Sequence, residues 1–374
     1  MADLLGVGIV GCGNISTAYL KLAELFRGYE VRAVADLNMD AANAQADAFG
    51  VRASTVVDLL AAEDIDLIVN LTIPAAHAEV SKAALNAGKH VYSEKPFVLS
   101  VEEGQELAYL ANAKGLRVGS APDTFLGASH QLARHVTDQG DVGRITSGTA
   151  IVMGPGMEDW HPNPDFFFKP GAGPILDVGP YYICNLVQLL GPVVSVAAFS
   201  GSAHETRTIA NGPRDGEEIP VETPTTIHAV LNFANGAIIT LIGSWDVWSH
   251  EHSNMELYGT EGSLYVPDPN FFGETLRITK RAEAVETPDW PHPFGVVNDG
   301  DQANYRGAGL ADMALAIAED RPHRCSLDFA LHVVDVMTSI LQAGETGSVV
   351  KIGTTCERPA ALPPEDARAL MAAP

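Results

Sequence analysis

A short apolar run followed by a helical stretch recurs from the N-terminus to about residue 120, and no other feature restricts the fold as tightly. Apolar runs at residues 4–10, 30–35, 65–71, 90–93 and 117–120 read as strands. Helical periodicity at 17–26, 41–49, 77–87 and 102–113 separates them. Strands joined through helices form a parallel, doubly wound α/β sheet with right-handed crossovers. After a helix at 128–138 the pattern changes to longer, turn-linked strands at 145–153, 193–200, 225–232, 237–245, 253–258, 263–266 and 276–280. Asn235-Gly236 and Glu261-Gly262 supply hairpin turns. One helix, at 177–190, interrupts this run, and two more, at 303–318 and 327–343, close the chain. With 374 residues the chain accommodates two domains. The expectation is a parallel-sheet domain over residues 1–125 and an α+β domain over 126–374 with an open, mostly antiparallel sheet.

Charge narrows the partners. Lys and Arg number 23 against 47 Asp and Glu, a net charge of −24, which argues against nucleic acid or an anionic membrane surface. No apolar run approaches the roughly 18 residues of a membrane span, and the first residues open a strand rather than a signal peptide. Cys12, Cys184, Cys325 and Cys356 are too scattered for a disulfide framework or a metal site. His250-Glu251-His252, read on a strand, sets two imidazoles on one face with no third ligand nearby, so no metal is expected. These features describe a cytoplasmic protein acting on a small molecule.

The first strand stops at Gly11-Cys12-Gly13, and a helix opens directly after it through Asn14 and Ile15. Glycines in that place let a pyrophosphate approach the backbone at a helix N-terminus, where free N–H groups favour an anion. Ser16 stands where a third glycine would close the fingerprint. Asp36 ends the second strand, where a carboxylate accepts both ribose hydroxyls of an adenosine. Asp36-Leu37-Asn38 contains no Arg to receive a 2′-phosphate. The first domain therefore reads as a Rossmann domain for NAD in preference to NADP.

Ala87-Gly88-Lys89-His90-Val91-Tyr92-Ser93-Glu94-Lys95-Pro96, with Thr72, Pro74 and His77 upstream, resembles the glucose–fructose oxidoreductase/inositol dehydrogenase (Gfo/Idh/MocA) family. So does Gly171-Ala172-Gly173-Pro174-Ile175-Leu176-Asp177-Val178-Gly179-Pro180-Tyr181, which is similar to the family's second-domain motif. Position 181 is Tyr where many members carry His, and Cys184 stands where a further acid is common. The resemblance covers nearly the whole chain. It implies an NAD(P)-dependent enzyme acting on sugars, cyclitols or related polyols, a homodimer or homotetramer built through the open sheet, and a cis Lys95–Pro96 bond. It also implies that Thr72, Pro74, His77, Glu94, Lys95 and Asp123 lie along the cofactor.

Removing a hydride from a secondary alcohol needs a nicotinamide face against the C–H and a base for the hydroxyl proton. Lys95 lies at the carboxyl edge of the parallel sheet, where open α/β sheets bind ligands. Partial desolvation is expected to lower its pKa, as a proton carrier requires. Asp177 and Tyr181, four apart at the start of one expected helix, would project from one face. Tyr181 beside an ammonium can act as a phenol–phenolate carrier, and Asp177 would orient Lys95. Alternatively, Asp177 is a helix cap and Tyr181 is core. Residues 154–174, rich in Gly, Pro and aromatics, read as a loop over the site. On it, Trp160-His161-Pro162 and Lys169 are further substrate-binding candidates, with Asp123 facing the nicotinamide side. Three activities fit: a dehydrogenase taking a ring C–OH to a ketone, an NAD-dependent glycoside hydrolase that oxidises transiently, and a non-enzymatic NAD sensor.

Overall fold

In a computed structural model describing residues 4–161, 163–281 and 283–372, the apolar runs of the first third form one six-stranded parallel sheet. Its strands are β1 (Leu5–Val10), β2 (Tyr29–Ala35), β3 (Arg52–Ser54), β4 (Leu67–Asn70), β5 (His90–Ser93) and β6 (Val118–Ser120). They lie in the order β3-β2-β1-β4-β5-β6, so the direction of winding reverses beside β1 and opens a crevice at the carboxyl ends of β1 and β4. The intervening helices are α1 (Asn14–Leu22), α2 (Met39–Phe49), α3 (Val56–Ala61), α4 (His77–Asn86) and α5 (Val101–Lys114). Because helices cover both faces, Val7, Ile9, Ile68 and Val91 in the central strands are entirely buried. The edge strand β3 and helix α3 are not among the expected elements: Arg52-Ala53-Ser54 is too short and polar to read as a strand.

Helix α6 (Ala128–Gln139) leads into the second unit. Its sheet runs through β7 (Ile145–Met153), β8 (Val193–Gly201), β11 (Thr226–Phe233), β12 (Ile238–Ser244), β13 (Met255–Gly259), β14 (Ser263–Val266), β15 (Arg277–Lys280), β16 (Glu283–Val285) and β17 (Val350–Lys351). The order is β16-β15-β14-β13-β7-β12-β11-β8-β17, with only the β7–β12 pairing parallel. A separate hairpin, β9 (Thr206–Thr208) with β10 (Glu218–Pro220), stands beside it. One face is covered by α8 (Gly179–Leu190) and α10 (Leu327–Thr346) together with α6, while the other carries alternating exposed residues such as His228, Val230 and Asn232.

Two departures from the expected elements matter for the site. The expected helix at 177–190 is two helices, α7 (Gly173–Asp177) and α8, because Pro180 in the first turn of α8 cannot continue a helix from α7. And α9 (Ala308–Glu319) and α11 (Pro364–Leu370) fold back onto the first unit rather than the second. There Leu315 of α9 lies under Gly28, Ser120 N donates to Cys325 O at 3.1 Å, and Arg27 N donates to Leu370 O at 3.0 Å. His250 and His252 lie in the irregular stretch before β13, not on a strand, and stack with ring centroids 6.1 Å apart.

Candidate active site

The turn after β1 is built for an anion. Gly11 has φ +104°, and a side chain there would meet the Leu71 carbonyl carbon at 2.6 Å. Gly13 caps α1 with no side chain over the helix start, and a Cβ at Gly13 would touch nothing within 4 Å. No acid occupies the first turn of α1. The helix N–H groups at Asn14 and Ile15 thus face open space, which fits a pyrophosphate. Ser16, the departure from the glycine fingerprint, is buried and turns its hydroxyl onto Gly13 O at 2.6 Å. Asp36 accepts from Cys12 N at 2.7 Å and from Asn38 N at 2.8 Å, so its carboxylate is fixed beside the turn. Leu37 is almost fully exposed next to it.

A cleft of about 400 Å³ runs from this helix to the second unit. Ile15, Thr72, Pro74, Glu94, Lys95, Asp177 and Tyr181 all line it. Lys95 follows β5 and reaches across to α7, donating to Asp177 Oδ1 at 2.8 Å and Asp177 O at 2.7 Å. Its ammonium also sits 5.2 Å from the centroid of the Tyr181 ring. Glu94 accepts from the Tyr19 hydroxyl at 3.1 Å and from Lys95 N at 2.9 Å. The Lys95–Pro96 bond is cis. Asp177 ends α7 and Tyr181 begins α8, so the two reach the cleft from either side of the break at Val178, not from one helical face.

The electrostatics correct one expectation. Burial by itself pulls the Lys95 pKa down, but Asp177, Tyr181 and Glu94 together outweigh it and hold the ammonium above its ordinary range. Lys95 is therefore a fixed cation in this arrangement, not a depressed amine. Tyr181 is pushed up, by burial first, with Glu94 and Asp177 adding to that and Lys95 and Arg306 opposing it.

Several other candidates sit elsewhere. His77 is buried beneath the cleft, its ring nitrogens 2.7 Å from Pro96 O and 2.9 Å from Thr72 O. It ties the two cleft-lining segments together. Asp123 is buried as well, accepting from Gly307 N at 2.9 Å and Gly309 N at 3.0 Å, and burial pushes its pKa up to about 6. It caps α9 and does not face a substrate. Trp160 and Lys169 are exposed, and His161 is half-buried, its ring edge-on to that of Phe167 at 5.1 Å. Pro162 lies outside the described residues.

The aromatics that do line the cleft are Phe166 and Phe167, with ring centroids 3.9 Å apart. Phe167 packs edge-on against Trp245, whose carbonyl is bound by Arg207 of β9. Its guanidinium donates to Glu158 Oε1 at 2.8 Å, Trp245 O at 2.9 Å and Asp246, and lies 5.5 Å from the Phe168 ring. Asn304 and Arg306, just before α9, also line the cleft and are not among the candidates read from the sequence. Their only sequence signal is a polar stretch, Asn304-Tyr305-Arg306, ahead of an apolar helix.

Comparison with known proteins follows this geometry. Residues 5–121 match the oxidoreductase family with an NAD-binding Rossmann fold, and residues 130–265 match the Gfo/Idh/MocA C-terminal domain. The chain belongs to the Gfo/Idh/MocA oxidoreductase family. Within the family it is 28% identical over 293 residues to levoglucosan dehydrogenase of Pseudarthrobacter phenanthrenivorans, covering 70% of this chain and 73% of that one. It is 26% identical over 264 residues to 1,5-anhydro-D-fructose reductase of Ensifer adhaerens, covering 69% and 74%. The structure of levoglucosan dehydrogenase in complex with NADH and levoglucosan superposes with a TM-score of 0.79 at 23% identity, over 94% of this chain and all of the other. That likeness establishes the fold. Among the described residues no helix is long and apolar enough to cross a membrane.

Proposed function

We propose that this family member oxidises a ring hydroxyl of a sugar, glycoside or cyclitol to the ketone, or runs the reverse reduction, with NAD in preference to NADP. The observation that carries the reading is the convergence of Lys95, Asp177 and Tyr181 in one cleft that begins at the open N-terminus of α1. The activities named for the two relatives support the carbohydrate class.

NAD, when bound, supplies the ring that accepts the hydride. The Gly11–Gly13 turn and the N–H groups of α1 hold its pyrophosphate, and Asp36 accepts from the ribose. Asp177 anchors Lys95, whose ammonium has a donor left for the oxygen of the substrate hydroxyl. As the C–H hydrogen leaves with its electron pair, the O–H proton passes to Tyr181 in its phenolate form, which becomes the neutral phenol, and the C=O bond forms. Phe166 and Phe167 offer an apolar wall for the C–H face of a sugar ring.

The open face of the second sheet, with Phe199, Val230 and Ile238 exposed, takes a second copy of the chain to form a homodimer or homotetramer. A monomer mass by light scattering at micromolar concentration would refute that assembly. The activity is tested by screening anhydrosugars, free sugars, glycosides and cyclitols for NADH formation. Release of aglycone from an aryl glycoside with catalytic NAD and no net NADH would replace this reading with the hydrolase. NAD binding without turnover of any of these classes would refute it.

A further inference from the structure

Four charged side chains face Tyr181: Lys95 and Glu94 from the end of β5, Asp177 from α7, and Arg306 from the loop before α9. Three of them have strong partners. Lys95 and Asp177 hold each other, and Glu94 holds the Tyr19 hydroxyl. Arg306 differs. Its guanidinium meets only neutral groups at long range, Asn304 Oδ1 at 3.3 Å, Asn270 O at 3.3 Å and Asn270 Oδ1 at 3.2 Å. Among the described residues it makes no ion pair. Glu94 and Asp123 act on it from beyond contact distance, so the guanidinium is balanced at range and stays free to meet a further charge in the cleft. It lines the same cleft as Tyr181, and its charge acts on that phenol.

We propose that Arg306 is a positioning residue for proton transfer: its guanidinium stabilises the phenolate of Tyr181 and so lets that side chain take the proton from a substrate hydroxyl. The charge count gives the reason. With Arg306 present, two positive and two negative groups face Tyr181 and cancel, and burial alone opposes the phenolate. Without Arg306 the surroundings carry one net negative charge, which adds to the burial penalty. Lys95 is then the one positive charge facing Tyr181 against the carboxylates of Glu94 and Asp177. The return segment before α9 thereby contributes directly to the chemistry of a residue in the second unit.

The use of this proton rests on the oxidoreductase reading, but its measurement does not. Ultraviolet difference titration of tyrosinate, with the Tyr181→Phe curve subtracted, follows Tyr181 in the full chain without any substrate. Arg306→Gln is expected to move that titration up by about one pH unit or more, and Arg306→Lys, which keeps the charge, is expected to hold it near the parent value. The rise of kcat/KM with pH that follows ionisation of Tyr181 should move with it, so that turnover at a fixed pH below that titration falls about tenfold in Arg306→Gln and recovers in Arg306→Lys. An unmoved titration in a folded Arg306→Gln protein overturns the proposal. So does an equal upward shift in Arg306→Lys, which would make the guanidinium a packing group; that variant decides the matter if Arg306→Gln does not fold. If the titration shifts as expected while no polyol reduces NAD, the charge assignment stands and the activity reading fails.

Discussion

The proposed preference for NAD rests on Asp36, a carboxylate whose position is fixed on both oxygens, by Cys12 N at 2.7 Å and Asn38 N at 2.8 Å. Each oxygen keeps a lone pair for one ribose hydroxyl. A hydrogen bond to a charged acceptor contributes about 1.5–3 kcal/mol net, so replacing the carboxylate by a neutral group should weaken NAD about tenfold or more. NADP would bring a phosphate of charge near −2 to about 4 Å from the carboxylate. In a water-like dielectric the repulsion is about 2 kcal/mol, or about thirtyfold in affinity. Partial exclusion of water would raise that figure, so thirtyfold is the lower bound. Asp36→Asn is the sharper variant, since it keeps one acceptor oxygen for the turn while removing the charge. Titrating NADH and NADPH by fluorescence against parent and Asp36→Asn measures both terms. The parent should favour NADH by about thirtyfold, and the variant should close most of that gap while losing about tenfold in NADH affinity. The gap should also shrink in high salt, because the repulsion is screened. Equal affinity for both cofactors in the parent, or an unchanged ratio in Asp36→Asn, refutes the argument.

Lys95→Met should lower turnover by a factor of about 10² to 10⁴ while NAD still binds, as steady-state rates beside a cofactor titration will tell; wild-type turnover on a true substrate would remove Lys95 from the mechanism. Arg207→Met strands the carboxylates of Glu158 and Asp246, whose side chains are only 11% and 8% exposed, and should cost about 3–5 kcal/mol in urea unfolding with a higher KM. Unchanged stability there would mean that the aromatic wall holds itself. His130, His292 and His332 are each pushed down to about 4 by burial. The unfolded chain takes up their protons below about pH 6.5 while the native state refuses them, so stability should fall as pH drops from about 6.5 toward 4. Each contributes about 2 kcal/mol by about pH 5, and a urea midpoint that does not fall between pH 7 and pH 5 would contradict this assignment.

What the sequence discloses depends on how local the cause is. The parallel strands are legible because burial on both faces makes them continuous apolar runs, as in Leu67–Asn70 and His90–Ser93. The glycine turn and the Lys95 and Asp177 motifs are legible from the residues themselves. Arg52–Ser54 is not, because an edge strand needs little apolar sequence. Pro180 signals the break between Asp177 and Tyr181, but the apolar periodicity on either side reads through it as one helix. Periodicity starts α9 five residues early, because the event that fixes its start is a capping contact from Asp123, 186 positions away from Gly309. For the same reason the sequence hides Arg306 and misplaces Asp123: partners that far apart leave no periodicity to read.

The return of α9 and α11 to the first unit has a consequence for synthesis and for dissection of the protein. A ribosome releases the cofactor half first, yet that half lacks its own last layer until α9 and α11 emerge. Until then the surface around Phe26, Tyr29 and Gly28 has no Leu315, Phe294 or Leu370 to cover it. The nascent half must wait as a partly open sheet. A fragment ending at residue 125 would carry the glycine turn and Asp36 but not the layer that seals its own core. Sticky and short-lived, it would be a poor stand-in for the NAD-binding half.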